Sequence, residues 1–245
     1  MLLSTGQFFG NSFGGGGGGG SDPNFASVLL LCGFEGADAS TSFTDESSYS
    51  RTLTTVGNAQ VDTAQFKFGS ASGLFDGSGD RITAPDSADW QFSGQFTVEA
   101  WIRTPTIASS TSTIVSHYAN TINQGWRFYR SGASIVAEFS TAASGTPAHL
   151  ITASAVIAAN TWHHVCFERD ASDKMRIYVD GVMQASKTGA TGTSNNTSDP
   201  FKIGEAQSGL VGWNGWIDEV RITKGVARYA SDGGFTVPTA AYPRS

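Results

Sequence analysis

The chain has 245 residues, of which 39% are hydrophobic and 15% charged, and its formal net charge is −6. This length is enough for one domain with a full core, and the low charged fraction with 30 glycines argues against a helical bundle or coiled coil. Lysine and arginine are scattered along the chain, which argues against nucleic acid as a partner, and no apolar run is long enough to predict membrane insertion.

Residues 1–27 differ in composition from the rest of the chain. Phe8, Phe9 and Phe13 lie among small polar residues and are followed by seven glycines, Gly14 to Gly20. A glycine run is a flexible coil in isolation. Two interpretations stay open: a disordered leader, or an extended assembly arm whose phenylalanines dock into a neighbouring subunit. The first residues lack the basic region and long apolar core of a secretory signal, so we expect synthesis in a host cytoplasm without a signal peptide.

Residues 28–225 consist of short apolar or alternating runs separated by Gly, Asn and Asp turns, which predict β-strands. The predicted strands are 27–35, 51–56, 59–63, 66–69, 72–75, 81–84, 95–103, 113–117, 125–130, 134–139, 162–168, 174–179, 182–185, 200–204 and 215–223. So many strands without a good helix predict an all-β, two-sheet antiparallel sandwich or jelly roll. Residues 226–245, which contain two prolines, are expected to form an extended tail on the surface.

The strand from Gln95 to Arg103 alternates cleanly between apolar and other residues. Its alternation predicts a sheet with one dry face and one mixed face, the latter carrying Glu99. Cys32 and Cys166 both lie in apolar runs and are interpreted as small buried hydrophobic residues.

The alternation of the last strand breaks at Asp218–Glu219, because strict parity puts Ile217 on the face opposite Val220. Two explanations stay open: a β-bulge at Asp218–Glu219, or Asp218 pointing inward beside Trp216 and Val220. An inward carboxylate would need a cation or several backbone N–H groups.

Several segments together resemble the concanavalin A-like, laminin G-like jelly-roll family. They are Leu74–Gly77, Phe96–Ile102, Trp162–Val165, Arg176–Gly181, Ile203–Gly204 and Gly215–Ile222. This resemblance implies two antiparallel sheets with adjacent first and last strands, and a calcium ion near the rim. The stretch Thr223–Tyr229 and the closing Pro238–Pro243 resemble the ends of such domains in bacteriophage structural proteins.

The calcium that the resemblance suggests would be a structural cofactor. The candidate ligands are Glu35, Asp38 and Asp218, because carboxylates from both ends of the chain would supply the oxygen ligands that calcium prefers. The alternative is that Glu35 and Asp38 are solvated loop charges and that Asp218 accepts backbone hydrogen bonds.

Two groups of residues are candidates for a sugar-binding platform, since aromatic rings stack on the apolar side of a pyranose. The first comprises His117, Tyr118, Trp126, Arg127 and Tyr129, and the second Trp213 and Asn214. The alternative is that these aromatic residues pack within the sandwich.

Enzyme chemistry is poorly supported by the sequence. The nearest match to the glucanase pattern of three acidic residues is Glu168, Asp170 and Asp173, but this stretch runs into a turn, so its side chains should diverge. Adjacent His163 and His164 point to opposite faces of a strand, which argues against a metal site.

We therefore expect a non-catalytic virion surface component, either a capsid decoration protein or a fibre, that binds glycans and joins other virion proteins through its arm. Such a component would be an oligomer or part of a larger assembly. A free carbohydrate-binding lectin and a glycoside hydrolase are the alternatives.

Overall fold

A computed structural model describes residues 20–206 and 211–245. Its fifteen strands are numbered in chain order as β1 (Val28–Cys32), β2 (Thr54–Val56), β3 (Gln60–Asp62), β4 (Ser72–Ser78), β5 (Arg81–Ala84), β6 (Phe96–Arg103), β7 (Thr111–His117), β8 (Trp126–Ser131), β9 (Ser134–Phe139), β10 (His149–Ala153), β11 (His163–Arg169), β12 (Met175–Val179), β13 (Val182–Lys187), β14 (Phe201–Ile203) and β15 (Val211–Lys224). The helices in these ranges are two single 3₁₀ turns, Phe25–Ser27 and Ala88–Trp90. Neither of these turns could cross a membrane.

The strands form two antiparallel sheets, as the sequence predicted. We call the eight-stranded sheet the back sheet; its order is β13-β12-β11-β6-β15-β4-β3, with β1 also paired to β15. We call the seven-stranded sheet the front sheet; its order is β10-β9-β8-β7-β14-β5-β2. The pairing of β1 with β15 places the first and last strands side by side, as the resemblance implied.

The fault in the alternation of β15 is a β-bulge. The register of β15 against β6 shifts between Asp218 and Arg221, and Glu219 has a φ of 50°. The extra residue turns both Ile217 and Val220 toward the core, where each is buried. Trp216 consequently lies on the face opposite Val220, whereas strict alternation along the strand predicts that the two residues share a face.

One hydrophobic cluster fills the space between the sheets. It includes Trp126 and Trp213, both fully buried, and Trp126 also donates a hydrogen bond from Nε1 to the Trp90 carbonyl oxygen at 2.7 Å. The prediction that these tryptophans form a sugar platform is therefore wrong, because β8 turns Trp126 inward and Trp213 packs in the same core. The interpretation of Cys32 and Cys166 as buried thiols is confirmed.

The outer, mixed face of the back sheet is covered by the chain's own ends. Glu99 is fully buried there and accepts hydrogen bonds from Arg221 Nε at 2.8 Å and from the Tyr229 hydroxyl at 2.6 Å. Burial by itself would raise the pKa of Glu99, but Arg221 and His164 hold it well below its usual range. The tail, residues 226–245, thus covers charged side chains on the outer face of the back sheet, where no strand lies over them.

The two ends of the described domain meet on this face. The backbone N–H of Asp22 donates to the carbonyl oxygen of Ser245 at 2.7 Å, and the Asp22 carboxylate binds Arg228 at 2.7 Å. Phe8, Phe9 and Phe13 of the expected arm lie outside the described residues.

The predicted and observed strands differ most at three places, and several other strand ends differ by a few residues. The segment 66–69 is loop rather than strand, and β4 continues through Asp76–Gly77 instead of turning there. Strand β10 was missed, because its sequence is short and has a weak polar-apolar contrast. These are local differences that leave the order of the sandwich unchanged.

The loop between β3 and β4 is held by carboxylates. Asp218 is buried on the outer side of β15, and its Oδ2 accepts from the backbone N–H groups of Lys67 at 2.8 Å and Phe68 at 3.1 Å. Its Oδ1 has no hydrogen-bond partner among the described residues. Burial raises the pKa of Asp218 to about 7, although the two backbone donors oppose the shift.

We predict that Trp126→Ala lowers stability by about 3–5 kcal/mol, because it removes a large core side chain and leaves a cavity. Thermal or denaturant unfolding measures the loss, with Asn214→Ala, at an exposed position, as the control. A variant that melts like the wild type would show that Trp126 is not in the core.

We predict that Asp218→Asn gains stability relative to the wild type as the pH rises from about 4 to 7. The folded-state pKa of Asp218 lies above its unfolded value, so its contribution is most favourable at low pH and is lost as the pH rises through about 7. The slope is at most about 1.4 kcal/mol per pH unit for one proton. Denaturant unfolding of both proteins at several pH values, in a chelating buffer, measures it; equal stability differences at pH 4 and pH 8 would contradict the burial of a titrating carboxyl.

Candidate functional site

The outer face of the front sheet carries a continuous row of side chains across all seven strands. Cross-strand register aligns them in the order Thr54, Thr83, Lys202, Ser116, Arg127, Glu138 and Leu150. The row runs perpendicular to the strands because residues directly opposite each other on neighbouring strands share a face. Most of its members are polar, and Leu150, at one end, is half exposed.

A groove of about 480 Å³ lies at the other end of this row. It is lined by Val56, Arg81, Thr83, Ala119, Asn120, Asp199, Pro200 and Lys202. Four separate parts of the chain build it: strand β2, strand β5, strand β14 with the two residues before it, and the loop after β7. It combines apolar surface with amide, hydroxyl and carboxylate groups, which is the mixture found in sites for small polar ligands.

Both cations of the groove are already paired. The Lys202 ammonium donates to the carbonyl oxygens of Tyr118 at 3.2 Å and Ala206 at 2.9 Å, and it contacts the carboxylate of Asp199. Arg81 Nη1 lies 2.7 Å from Oε2 of Glu205, whose side chain is buried. These ion pairs hold β14 and β5 to the loops that form the walls of the groove.

Next to the groove, the row contains a packed cluster of aromatic and charged side chains. Arg127 Nη2 donates to Glu138 Oε1 at 2.9 Å, and its guanidinium lies 4.9 Å from the Tyr118 ring centroid and 4.5 Å from that of Tyr129. The Tyr129 hydroxyl donates to Glu138 Oε1 at 2.7 Å. Burial, and then the Glu138 carboxylate, raise the pKa of Tyr129, so it remains a donor at neutral pH.

The structure therefore brings together three of the five residues of the first sugar-binding group: Tyr118, Arg127 and Tyr129. His117 instead faces inward, where its Nε2 lies 3.2 Å from the Thr197 hydroxyl and 3.3 Å from Asp86 Oδ1. Burial lowers the pKa of His117 although Asp86 opposes this, so the ring is neutral at pH 7.

In the second sugar-binding group, Asn214 is exposed but its expected partner Trp213 is buried in the core. Asn214 lies on β15 of the back sheet, in register with Asp76 of β4. It therefore does not contribute to the groove on the front sheet.

The three calcium candidates do not form one ligand set. Glu35 accepts from the Ser70 hydroxyl at 2.6 Å, Asp38 accepts from the Thr63 backbone N–H at 3.1 Å, and Asp218 accepts from two other backbone groups of the same loop. Among residues 20–206 and 211–245, no group of three or more acidic, histidine or cysteine side chains has the geometry to hold a metal. Calcium prefers six to eight oxygen ligands, and these three carboxylates do not supply them at one point. Calcium binding elsewhere in the protein stays a prediction.

The acidic stretch that begins at the end of β11 has no arrangement suited to glycoside hydrolysis. Glu168 is buried under the tail, where its Oε1 accepts from the Tyr178 hydroxyl at 2.8 Å and the Ala230 backbone at 2.7 Å. Asp170 pairs at 2.7 Å with Arg176 of β12, and Asp173 lies in the turn between β11 and β12 with its side chain partly exposed. These side chains have separate partners, as the sequence predicted.

The adjacent histidines likewise have separate partners. His163 Nδ1 lies 2.7 Å from Asp180 Oδ2, whereas His164 Nε2 lies 3.0 Å from the Tyr242 hydroxyl under the tail.

Sequence reasoning missed the groove residues. Arg81, Asn120 and the pair Asp199 and Lys202 are far apart in the chain and match no local motif. Their alignment depends on β14 lying between β5 and β7, a crossover that the order of strands along the chain does not reveal.

The solved structures that are similar to this chain include binding domains of toxins. The binding domain of Paraclostridial Mosquitocidal Protein 1 matches 83% of this chain with a TM-score of 0.65 and 17% identity. The ligand binding domain of botulinum neurotoxin serotype D, solved in complex with N-acetylneuraminic acid, matches 83% with a TM-score of 0.62 and 16% identity. The chain spans about half the length of these structures, 50% and 49%, and at such identities they show the fold alone.

Comparison with sequence families gives a direct assignment. No curated protein matches the sequence. The sequence model of the concanavalin A-like lectin/glucanase superfamily matches residues 76–229, which is more than half of the chain and includes strands from both sheets. The chain belongs to the concanavalin A-like lectin/glucanase superfamily.

Proposed function

We propose that this protein is a non-catalytic glycan-binding domain whose ligand lies in the groove of the front sheet. The observation that carries the proposal is the difference between the two outer faces. The tail covers the mixed face of the back sheet, whereas the outer face of the front sheet has a groove at one end of its row of polar side chains.

The groove has the chemistry that a saccharide needs. Sugar hydroxyls both donate and accept, and Asn120, Thr83 and Asp199 offer both kinds of partner. Val56 and Pro200 provide apolar surface for the C–H face of a ring. Such mixed contacts orient a small polar ligand without requiring a deep pocket.

The comparisons support binding rather than catalysis. The similar structures are described as binding domains, and one contains N-acetylneuraminic acid. The separate environments of Glu168 and Asp170 also disfavour the hydrolase alternative, since a glycosidase needs two carboxyl groups facing one glycosidic bond.

We predict that Asn120→Ala lowers glycan retention at least about tenfold with an unchanged melting temperature, because a lost polar contact at a binding site costs on the order of 1–3 kcal/mol. A glycan array followed by titration calorimetry with the best ligand measures it. Thr121→Ala is the matched control, being an exposed neighbour outside the groove lining. Equal glycan retention by both variants would contradict the proposal that the ligand binds in the groove.

A second proposal concerns attachment: residues 1–20 join the domain to a larger particle, such as a phage virion, on which it is a surface component. Its support is the aromatic and glycine-rich composition of this segment and the position of Asp22 on the back sheet, away from the groove. A domain attached from that side would keep its front sheet accessible.

We predict that deletion of residues 1–20 abolishes incorporation into particles while leaving the unfolding transition unchanged, because Asp22 and its ion pairs remain. Co-sedimentation with particles assembled in host cells measures incorporation. Replacement of Phe8, Phe9 and Phe13 by serine tests whether the aromatic residues are responsible. Normal incorporation of the deleted form would leave the free lectin as the better proposal.

A further inference from the structure

We infer that the groove selects a neutral saccharide and discriminates against sugars that carry a carboxylate, sulfate or phosphate. The inference rests on the proposed glycan-binding function and adds the chemical class of the ligand. It depends on which charges of the groove are already neutralised and which polar atoms remain available.

The ammonium group of Lys202 has no donor left for a ligand. Its three N–H bonds match three acceptors: the carbonyl oxygens of Tyr118 and Ala206, and the carboxylate of Asp199. Its side chain is only 9% exposed. An anionic sugar could recruit this charge only by displacing partners that hold β14 to the neighbouring loops.

Arg81 is bound through one of its terminal nitrogens, Nη1, which lies 2.7 Å from Oε2 of Glu205, whose side chain is inaccessible to solvent. An anionic ligand that drew this guanidinium away would break its ion pair with a buried carboxylate, which is unfavourable. The two cations of the groove are therefore balanced by two carboxylates before any ligand enters.

The polar atoms that stay available suit hydroxyl groups. Asn120 lines the groove and uses its Oδ1 to accept from the Ile122 backbone at 2.9 Å, which leaves its Nδ2 as a donor with no acceptor among the described residues. Asp199 uses Oδ2 on Lys202, and its Oδ1 has no partner among the described residues. A hydroxyl can donate to the Asp199 carboxylate and accept from the Asn120 amide, whereas an anionic substituent can only be repelled by that carboxylate.

The charge of the whole chain acts in the same direction. A formal net charge of −6 lowers the local concentration of anionic ligands at low ionic strength. This preference differs from the anionic sugar, N-acetylneuraminic acid, that is bound in the similar botulinum serotype D structure.

The test uses the full chain and a panel of matched oligosaccharides, each neutral member paired with forms bearing sialic acid, a uronic acid or sulfate. Affinities are measured by calorimetry for the wild type, Asn120→Ala and Thr121→Ala at low and high salt. We expect the neutral member of a pair to bind at least about tenfold more tightly, with little dependence on salt, and with a loss specific to Asn120→Ala.

The possible results distinguish the preference for neutral saccharides from the glycan-binding function on which it rests. Tighter binding of the charged members, weakened by Asn120→Ala and by salt, would overturn the neutral preference and retain glycan binding at the groove. If neutral oligosaccharides bind with an affinity that Asn120→Ala does not change, the inference is overturned, because the ligand then binds outside the groove. No binding by any member would overturn the proposed function itself.

Discussion

The bulge at Asp218–Glu219 is the constraint on which the rest of the sandwich depends. Strand β15 pairs with β6 along one edge, and along the other edge it pairs first with β4 and then with β1. The extra residue lies where this partner changes, and it lets Ile217 and Val220 both reach the core. It also aims two carboxylates at other parts of the chain: Asp218 at the loop 63–70, and Glu219 at Arg244, 2.7 Å away. One local irregularity therefore joins the core, a loop and the tail.

The burial of Glu99 explains why the two sheets have different outer faces. A carboxylate in the middle of β6 must be paired when water is excluded, and Arg221, Tyr229 and Tyr242 supply its partners. Because two of these partners belong to the tail, the back sheet is complete only when the tail lies across it. The front sheet does not depend on the tail in this way, since Glu138 is paired with Arg127 of the neighbouring strand and Lys202 with Asp199. The difference between the two outer faces thus follows from where the partners of the buried charges lie.

Much of the fold could be predicted because strand periodicity is a local property. The alternation of β6 and the six segments that resemble the superfamily were sufficient for an all-β sandwich with adjacent end strands, and the fault at Asp218–Glu219 left two explanations of which the bulge is correct. The site was harder to predict, because a tryptophan on a strand has the same local pattern whether its ring enters the core or faces solvent. Parity within β8 assigns Trp126 and Arg127 to opposite faces, but only the packing of both sheets decides which face is inside. The groove residues depend on the crossover that puts β14 between β5 and β7, which leaves no local pattern.

The hydrogen bond between Asp22 and Ser245 has a consequence for how such a domain can be used. Because the ends of the sandwich are in contact, a short peptide could join them into a closed ring, and new termini could then be opened in an exposed loop elsewhere. The same proximity means that the whole sandwich could be spliced into a surface turn of a host protein with both connections leaving from one point. Neither operation separates the strands that pair with β15. Both connections to a carrier protein would then lie at one place on the surface, beside Asp22 and Ser245.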